Sequence, residues 1–420
     1  MNKKLIPIVL IFLSVFYVFA GDIGITLDSL YAGSYSGSWA DPYFSQEVAL
    51  WGNTMFSDSW GISAEASYKY TTSRDVFVEL NELLIMGNLD FGSSYLKINA
   101  GRTSFSEFSG KVFAHKGDGL YTEWGSGIFG ISAFATYTGL LQLPSSSIVM
   151  SNSDYYDVTN NDNPIWGPFA SPRLVEGLAV KLNEFAARQS LVISGLFQQD
   201  LRADSNLHEG TRVNTQYAGI GISGPLNPKA TLSYSLYGYG NMGQYGNNTI
   251  IAFMGGGNIT LLMPEILGSS ISLEGVYSSG DKDSVAVYEG NTTGYDTAFL
   301  PVSKTYPGFV YTPALINIFY VGSYITIKPF SGSEIKTLDN IMLMLRPVGI
   351  FRSTTGAISS GTLKSSNNGL YLGTEVDMSI IARLLSDLGL SISGGMFMPS
   401  GVFEDNSIQT LITASLSITL

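Results

Sequence analysis

The sequence predicts an all-β fold: a transmembrane antiparallel up-and-down β-barrel of about 18 strands, preceded by a cleavable signal peptide. Three observations carry that expectation. Apolar and polar residues alternate with a period of two along most of the chain, the connections between these stretches are alternately short and long, and no apolar run past residue 20 is long enough for a membrane helix.

Residues 1–20 read as a secretory signal. Lys3 and Lys4 form a basic start, residues 5–19 an apolar stretch, and Val18 and Ala20 put small residues where a signal peptidase cuts. The apolar stretch is short for a spanning helix of about 20 residues, and Gly21-Asp22 follows with no stop-transfer charges. A single barrel domain is expected over residues 21–420.

Composition narrows the class. With 47 Gly, 24 Tyr and 23 Phe, only 13% charged residues and a mean hydropathy of +0.18, the chain must hide apolar surface without helices. It has no Cys, so disulfides and thiolate metal sites are excluded and backbone hydrogen bonds must hold the fold. Loss of the leader removes Lys3 and Lys4, leaving 20 basic against 34 acidic residues, a net charge of −14. No basic patch exists to displace counterions from phosphates, so a nucleic-acid partner is excluded.

The alternation is clearest at residues 60–71. Trp60, Ile62, Ala64, Ala66, Tyr68 and Tyr70 share one face, and Gly61, Ser63, Glu65, Ser67, Lys69 and Thr71 the other, which fits lipid outside and water inside. The same sorting recurs at residues 271–278, 372–380 and 388–396. Residues 380–390 also fit helical spacing, but clean alternation on both sides favours strand, tight turn at Ser386-Asp387, strand. The inward faces are mostly Ser, Gly, Thr and carboxylates, a composition suited to a wet lumen and poor for a dry core.

Connections separate by parity. Short ones fall at residues 57–59, 89–92, 125–127, 184–188, 224–229, 263–268, 330–337 and 384–387; the long polar ones, at 103–119, 140–173, 200–210, 280–313 and 353–368, lie between them. The count is 18 strands, or 16 if the weaker stretches at 121–124 and 174–183 are not strands. The chain then ends in a strand: Ile408, Thr410, Ile412, Ala414, Leu416, Ile418 and Leu420 alternate with Gln409, Leu411, Thr413, Ser415, Ser417 and Thr419, which resembles the C-terminal strand that outer-membrane barrels present to their assembly machinery.

Two segments resemble the alginate-export and related porin-like outer-membrane families. One is Ala100-Gly101-Arg102, followed by residues 105–110 and Asp118-Gly119-Leu120. The other is residues 371–377 followed by 394–401. The resemblance implies a large barrel passing an anionic sugar polymer along an arginine-lined pore. Basic residues are sparse here, however. Glu65, Glu274, Glu375 and Asp377 fall on predicted inward faces, with Lys69 and Lys97 the chief cations there, and these six are the pore-lining candidates. A lumen biased negative attracts cations. The expected function is passive diffusion of small polar or charged solutes across an outer membrane with a weak cation preference. An alginate-export-like polysaccharide or oligosaccharide channel, and a plugged surface adhesin or structural barrel acting through its long loops, are the alternatives.

Residues 103–119, carrying Glu107, Lys111, His115, Lys116 and Asp118, form the candidate constriction loop, because charges of both signs there set a transverse field; an ordinary solvated loop is the alternative. Arg102 shares parity with Leu96, Ile98 and Ala100, predicted to face lipid. It reaches the lumen if the strand ends or bulges there, and otherwise lies at the membrane interface. The aromatic residues of 140–173 are expected to pack over the barrel mouth, with sugar stacking as the alternative. His115 and His208 are the chain's two histidines, so no enzyme, metal site or cofactor is expected. Expected partners are membrane lipid, the assembly machinery and small polar solutes.

Overall fold

The computed structural model describes residues 21–420 apart from 161–168, 204–205, 208–210, 285–286 and 288–293, and only the backbone of 74 and 75. The predicted signal peptide and His208 lie outside the described residues.

Eighteen antiparallel strands form one closed sheet. In chain order they are β1 (Asp22–Ser36), β2 (Tyr43–Met55), β3 (Trp60–Thr71), β4 (Arg74–Asp90), β5 (Ser94–Ser106), β6 (Ala114–Ser126), β7 (Phe129–Tyr137), β8 (Arg173–Ala186) and β9 (Gln189–Asp200). The circuit continues with β10 (Val213–Pro225), β11 (Leu232–Tyr245), β12 (Asn248–Met263), β13 (Ser269–Ser278), β14 (Ile318–Ile327), β15 (Met342–Arg352), β16 (Tyr371–Arg383), β17 (Leu388–Pro399) and β18 (Gln409–Thr419). Each pairs with its sequence neighbours, and β18 closes on β1 from Thr26↔Thr419 to Ser36↔Gln409. Two short strands, Ser38–Trp39 and Tyr295–Asp296, extend the sheet at the mouth.

The weak stretches at 121–124 and 174–183 lie within β6 and β8, so the count is 18 and not 16. Residues 384–387 make the tight turn between β16 and β17. The parity of the longest connections also holds: residues 138–172, 201–212, 279–317 and 353–370 follow odd-numbered strands, and the connections after even-numbered strands have at most six residues except for residues 328–341. By that parity the short turns face the periplasm and the long loops the outside.

Outward rows are exposed as a lipid-facing band requires: Leu83 and Ile85 on β4, Ile271, Leu273 and Tyr277 on β13, Met378 and Ile380 on β16, Ile392 and Met396 on β17. Leu372 departs from its expected outward row. A register shift between Ile350 and Phe351 intervenes where β15 meets the start of β16, and Leu372 is fully buried.

One expectation is overturned. The outer half of the lumen holds a dry core, assembled from loops and not from the strand faces that suggested a wet interior. Val112, Phe113, Ile148, Phe299, Val302, Leu315 and Ile316 are at most 1% exposed, and they pack in one cluster with inward strand residues such as Tyr217, Tyr239 and Tyr320. Apolar side chains in a water-filled barrel gain by collapsing on one another as in any soluble core.

Phe299 lies wholly within this core, so Phe299→Ala should weaken loop packing by about 3–5 kcal/mol while the strand ladder survives. Limited proteolysis of the folded barrel should cut within residues 279–317 faster than in the parent, with β-sheet content unchanged by circular dichroism.

Candidate functional site

The hairpin of β5 and β6 sends its loop across the lumen. The ladder runs to Ser106↔Ala114, so the loop proper is residues 107–113, shorter than the 103–119 expected. Glu107 organises it. Its carboxylate accepts from the backbone N–H groups of Ser109 (2.6 Å), Lys111 (2.8 Å) and Val112 (3.0 Å), and from the Tyr239 hydroxyl on β11. Lys111 then reaches the far wall, where Nζ lies 2.8 Å from Glu274 on β13 and donates to the Tyr320 hydroxyl on β14 at 3.1 Å. The Val112 carbonyl accepts from the N–H groups of Val302 and Ser303. A loop rooted on β5 and β6 that bonds β11, β13 and β14 spans the interior.

Residues 279–317 descend beside it. The carboxylate of Glu375 on β16, fully buried, accepts from three consecutive backbone N–H groups, those of Phe309, Val310 (2.7 Å) and Tyr311 (2.8 Å). Tyr311 stacks on Phe397 with ring centres 4.4 Å apart. Beside it Arg346 lies 3.4 Å from Asp377, donates to the Pro307 carbonyl and covers the Tyr324 ring at 4.7 Å. Glu375 and Asp377 thus sit on the inward face but beneath the loop.

The remaining pore-lining candidates are placed as follows. Lys69 pairs with Glu47 at 3.3 Å, and Glu65 accepts from the Asn81 amide at 2.8 Å. Glu274 is held by Lys111. Lys97 is exposed, cross-strand from Glu123, whose other neighbours are the Tyr95 and Tyr121 hydroxyls and Lys181. Lys97 and Lys181 both line a cavity of about 360 Å³ against β5–β9, with Asn99, Thr103, Ser132, Ser194, Phe108 and Phe134 among its walls and Glu107 above.

Three of the loop candidates fall in the wall instead. His115 faces inward from β6, buried, with Nδ1 2.9 Å from the Ser147 hydroxyl. Lys116 and Asp118 share parity with the outward Leu120, cross-strand from Ser104 and Arg102. Arg102 makes a two-pronged contact to Asp118 (2.9 and 2.7 Å) and donates to the carbonyls of Leu80 and Leu140. Asn99, Thr103 and Phe105 keep inward parity through this stretch, so Arg102 stays on the outer side of the wall. Its charge is compensated there by Asp118, which is why the strand pairing continues through residues that look like a loop.

Sequence reasoning missed a buried charge cluster over the mouth. Residues 138–172 carry helix α1 (Asn152–Thr159), whose N-cap Ser151 and third residue Asp154 form a capping box. Asp154 also binds Arg173 (2.5 Å) and Arg202, while Asp200 binds Arg173 and Arg202 at 2.8 and 2.9 Å. Arg173 and Asp200 are paired residues at the top of β8 and β9, so the cluster ties the loop to the rim. Burial pushes the Arg202 guanidinium down to about 10, and burial followed by the charge of Asp200 raises the Asp157 carboxyl. Part of the cue was there: Arg173, Asp200 and Arg202 sit at loop edges and Asp154 inside the long loop, but nothing in their spacing shows that they meet.

Arg173→Met should leave the buried Asp154 and Asp200 to share Arg202 alone, loosening residues 138–172 by about 3–5 kcal/mol. Hydrogen exchange should show α1 losing protection while β8 and β9 keep theirs. Glu375→Gln should free the loop tip at 307–311. Single-channel recording should show larger or noisier openings than in the parent protein, and unchanged traces would remove the anchoring role.

No protein-family model matches the chain, and no curated protein does, so the resemblance to the alginate-export family gains no support. Solved structures match along nearly its whole length. Pseudomonas aeruginosa OccK2 (OpdF) is 12% identical with a TM-score of 0.61, over 96% of this chain and 98% of that one. Pseudomonas aeruginosa OpdO is 11% identical with a TM-score of 0.60, over 95% and 97%. Acinetobacter baumannii OccAB2 is 10% identical with a TM-score of 0.59, over 96% and 98%. At these identities the likeness is one of fold.

Proposed function

We propose that this protein is an outer-membrane channel for passive diffusion of small polar solutes. The observation that carries the reading is the loop of residues 107–113, which crosses the lumen and narrows it without filling the polar cavity beside β5–β9. A barrel with an apolar outer band, a polar inner cavity and a narrowed waist passes solutes by size and polarity. Among the solved structures of this fold is OccK2 (OpdF) in complex with glucuronate, a small polar solute, which supports the same reading. Inward packing of the long loops speaks against a surface adhesin that acts through them.

The pairings also change the charge argument. Glu274, Asp377 and Glu47 each face a cation, and Glu375 is spent on backbone N–H groups, so the acidic count no longer favours cations. What remains at the cavity is Lys97 and Lys181 beside Glu123, since Glu107 like Glu375 is spent on backbone N–H groups. Fixed charges of both signs leave a weak net field at ordinary ionic strength, where exposed charges are screened within about 8–10 Å.

In a planar bilayer under a salt gradient, the purified barrel should conduct with a reversal potential near zero. The double change Lys97→Glu and Lys181→Glu should move it toward cation preference. No conductance from folded protein would refute the channel reading.

A further inference from the structure

The periplasmic rim carries a feature that solute passage does not explain. Each short turn has an exposed large apolar side chain at or beside its tip, among them Phe56 (53% exposed), Phe91 (61%), Ile128 (53%), Leu226 (54%), Ile266 (60%) and Leu385 (65%). Turns bathed in water are ordinarily polar, and contiguous exposed apolar surface marks an interaction site. We propose that these turns are embedded in the inner leaflet of the outer membrane at the level of the lipid headgroups, forming an apolar collar that seats the barrel, so that its periplasmic rim does not project into water. This rests on the membrane placement under the proposed function.

Two features select lipid over a protein partner. The residues recur at successive turns around the whole circumference, whereas a docked protein covers one sector and a leaflet surrounds the barrel on every side. They also continue the lipid-facing rows of the wall. Phe56 follows the parity of Val48 and Leu50 on β2, Phe91 that of Leu83 and Ile85 on β4, and Leu226 that of Ile220 and Ile222 on β10. Asp58, Arg188 and Lys229 in the same turns suit the headgroup zone, where aromatic and aliphatic bodies lie below and charged tips remain hydrated. A turn at this depth must be compact, because its backbone groups meet little water. Five of the eight connections comply with no more than four residues between strands, closed by local bonds such as Phe56 N–H and Ser57 N–H to the Trp60 carbonyl and Leu384 N–H to the Leu388 carbonyl.

The chain has no cysteine, so single-cysteine variants accept one label each. Phe56→Cys, Phe91→Cys, Leu226→Cys and Leu385→Cys would carry an environment-sensitive fluorophore in phosphatidylethanolamine–phosphatidylglycerol vesicles. Leu273→Cys, outward at mid-wall, serves as the lipid reference and Asp405→Cys, at an exposed position of the loop of residues 400–408, as the water reference. The turn labels should be quenched by lipids bearing a nitroxide near the headgroup and be shielded from iodide relative to Asp405→Cys. Iodide quenching equal to that of Asp405→Cys would overturn the collar, whether the rim then meets water or a periplasmic protein. Conductance of the same labelled proteins is read in parallel, so loss of the collar and loss of the channel are told apart.

Discussion

Closure of the backbone ladder is the constraint on which everything else rests. Inside a bilayer no water is present to satisfy a free N–H or C=O, so a strand can stay only if both its edges are paired. Eleven residue pairs between β1 and β18 remove the last open edge. Once the ring is closed, side chains must alternate between lipid and lumen, successive connections must fall at opposite ends, and both termini must meet at one end. Where the ladder shifts, side chains take up the slack: beside the register shift between Glu65 and Ala66, the Leu80 carbonyl accepts from Arg102.

The interior obeys a second rule, that charge brought out of water must be matched. Glu107 and Glu375 are each satisfied by runs of backbone N–H groups on the loops they organise, while Glu274, Asp377, Asp154 and Asp200 take Lys or Arg partners. The acidity of the chain therefore serves folding of the loops more than it sets the field along the pore. A carboxylate that accepts several N–H bonds has its field answered locally and so attracts few ions.

The strands were legible because their pattern is local. Trp60 to Thr71 shows its two faces with no knowledge of what surrounds it, and the loop parity is visible in lengths alone. Arg102 was half legible: its parity with Ile98 pointed outward, but its partner Asp118 lay across a hairpin whose end was misplaced. The loop interior was hidden for a different reason. Runs such as Ala298 to Val302 and Ala314 to Ile318 are apolar stretches inside long connections, a sign of burial, yet what buries them is a wall distant in sequence. The Glu375 contacts join residues 64–66 apart and the Lys111–Tyr320 bond residues 209 apart, separations at which no periodicity helps.

Those separations bear on the order in which the molecule can assemble. Adjacent strands pair over short chain distances and can zip in sequence, whereas residues 107–113 find Glu274 and Tyr320 only after the sheet has curled far enough to present β13 and β14 opposite β5. The interior core is consequently a late structure, formed in a cylinder already shaped around it. Evolution can then revise the loops, and with them what passes, while leaving the route by which the wall is built unchanged.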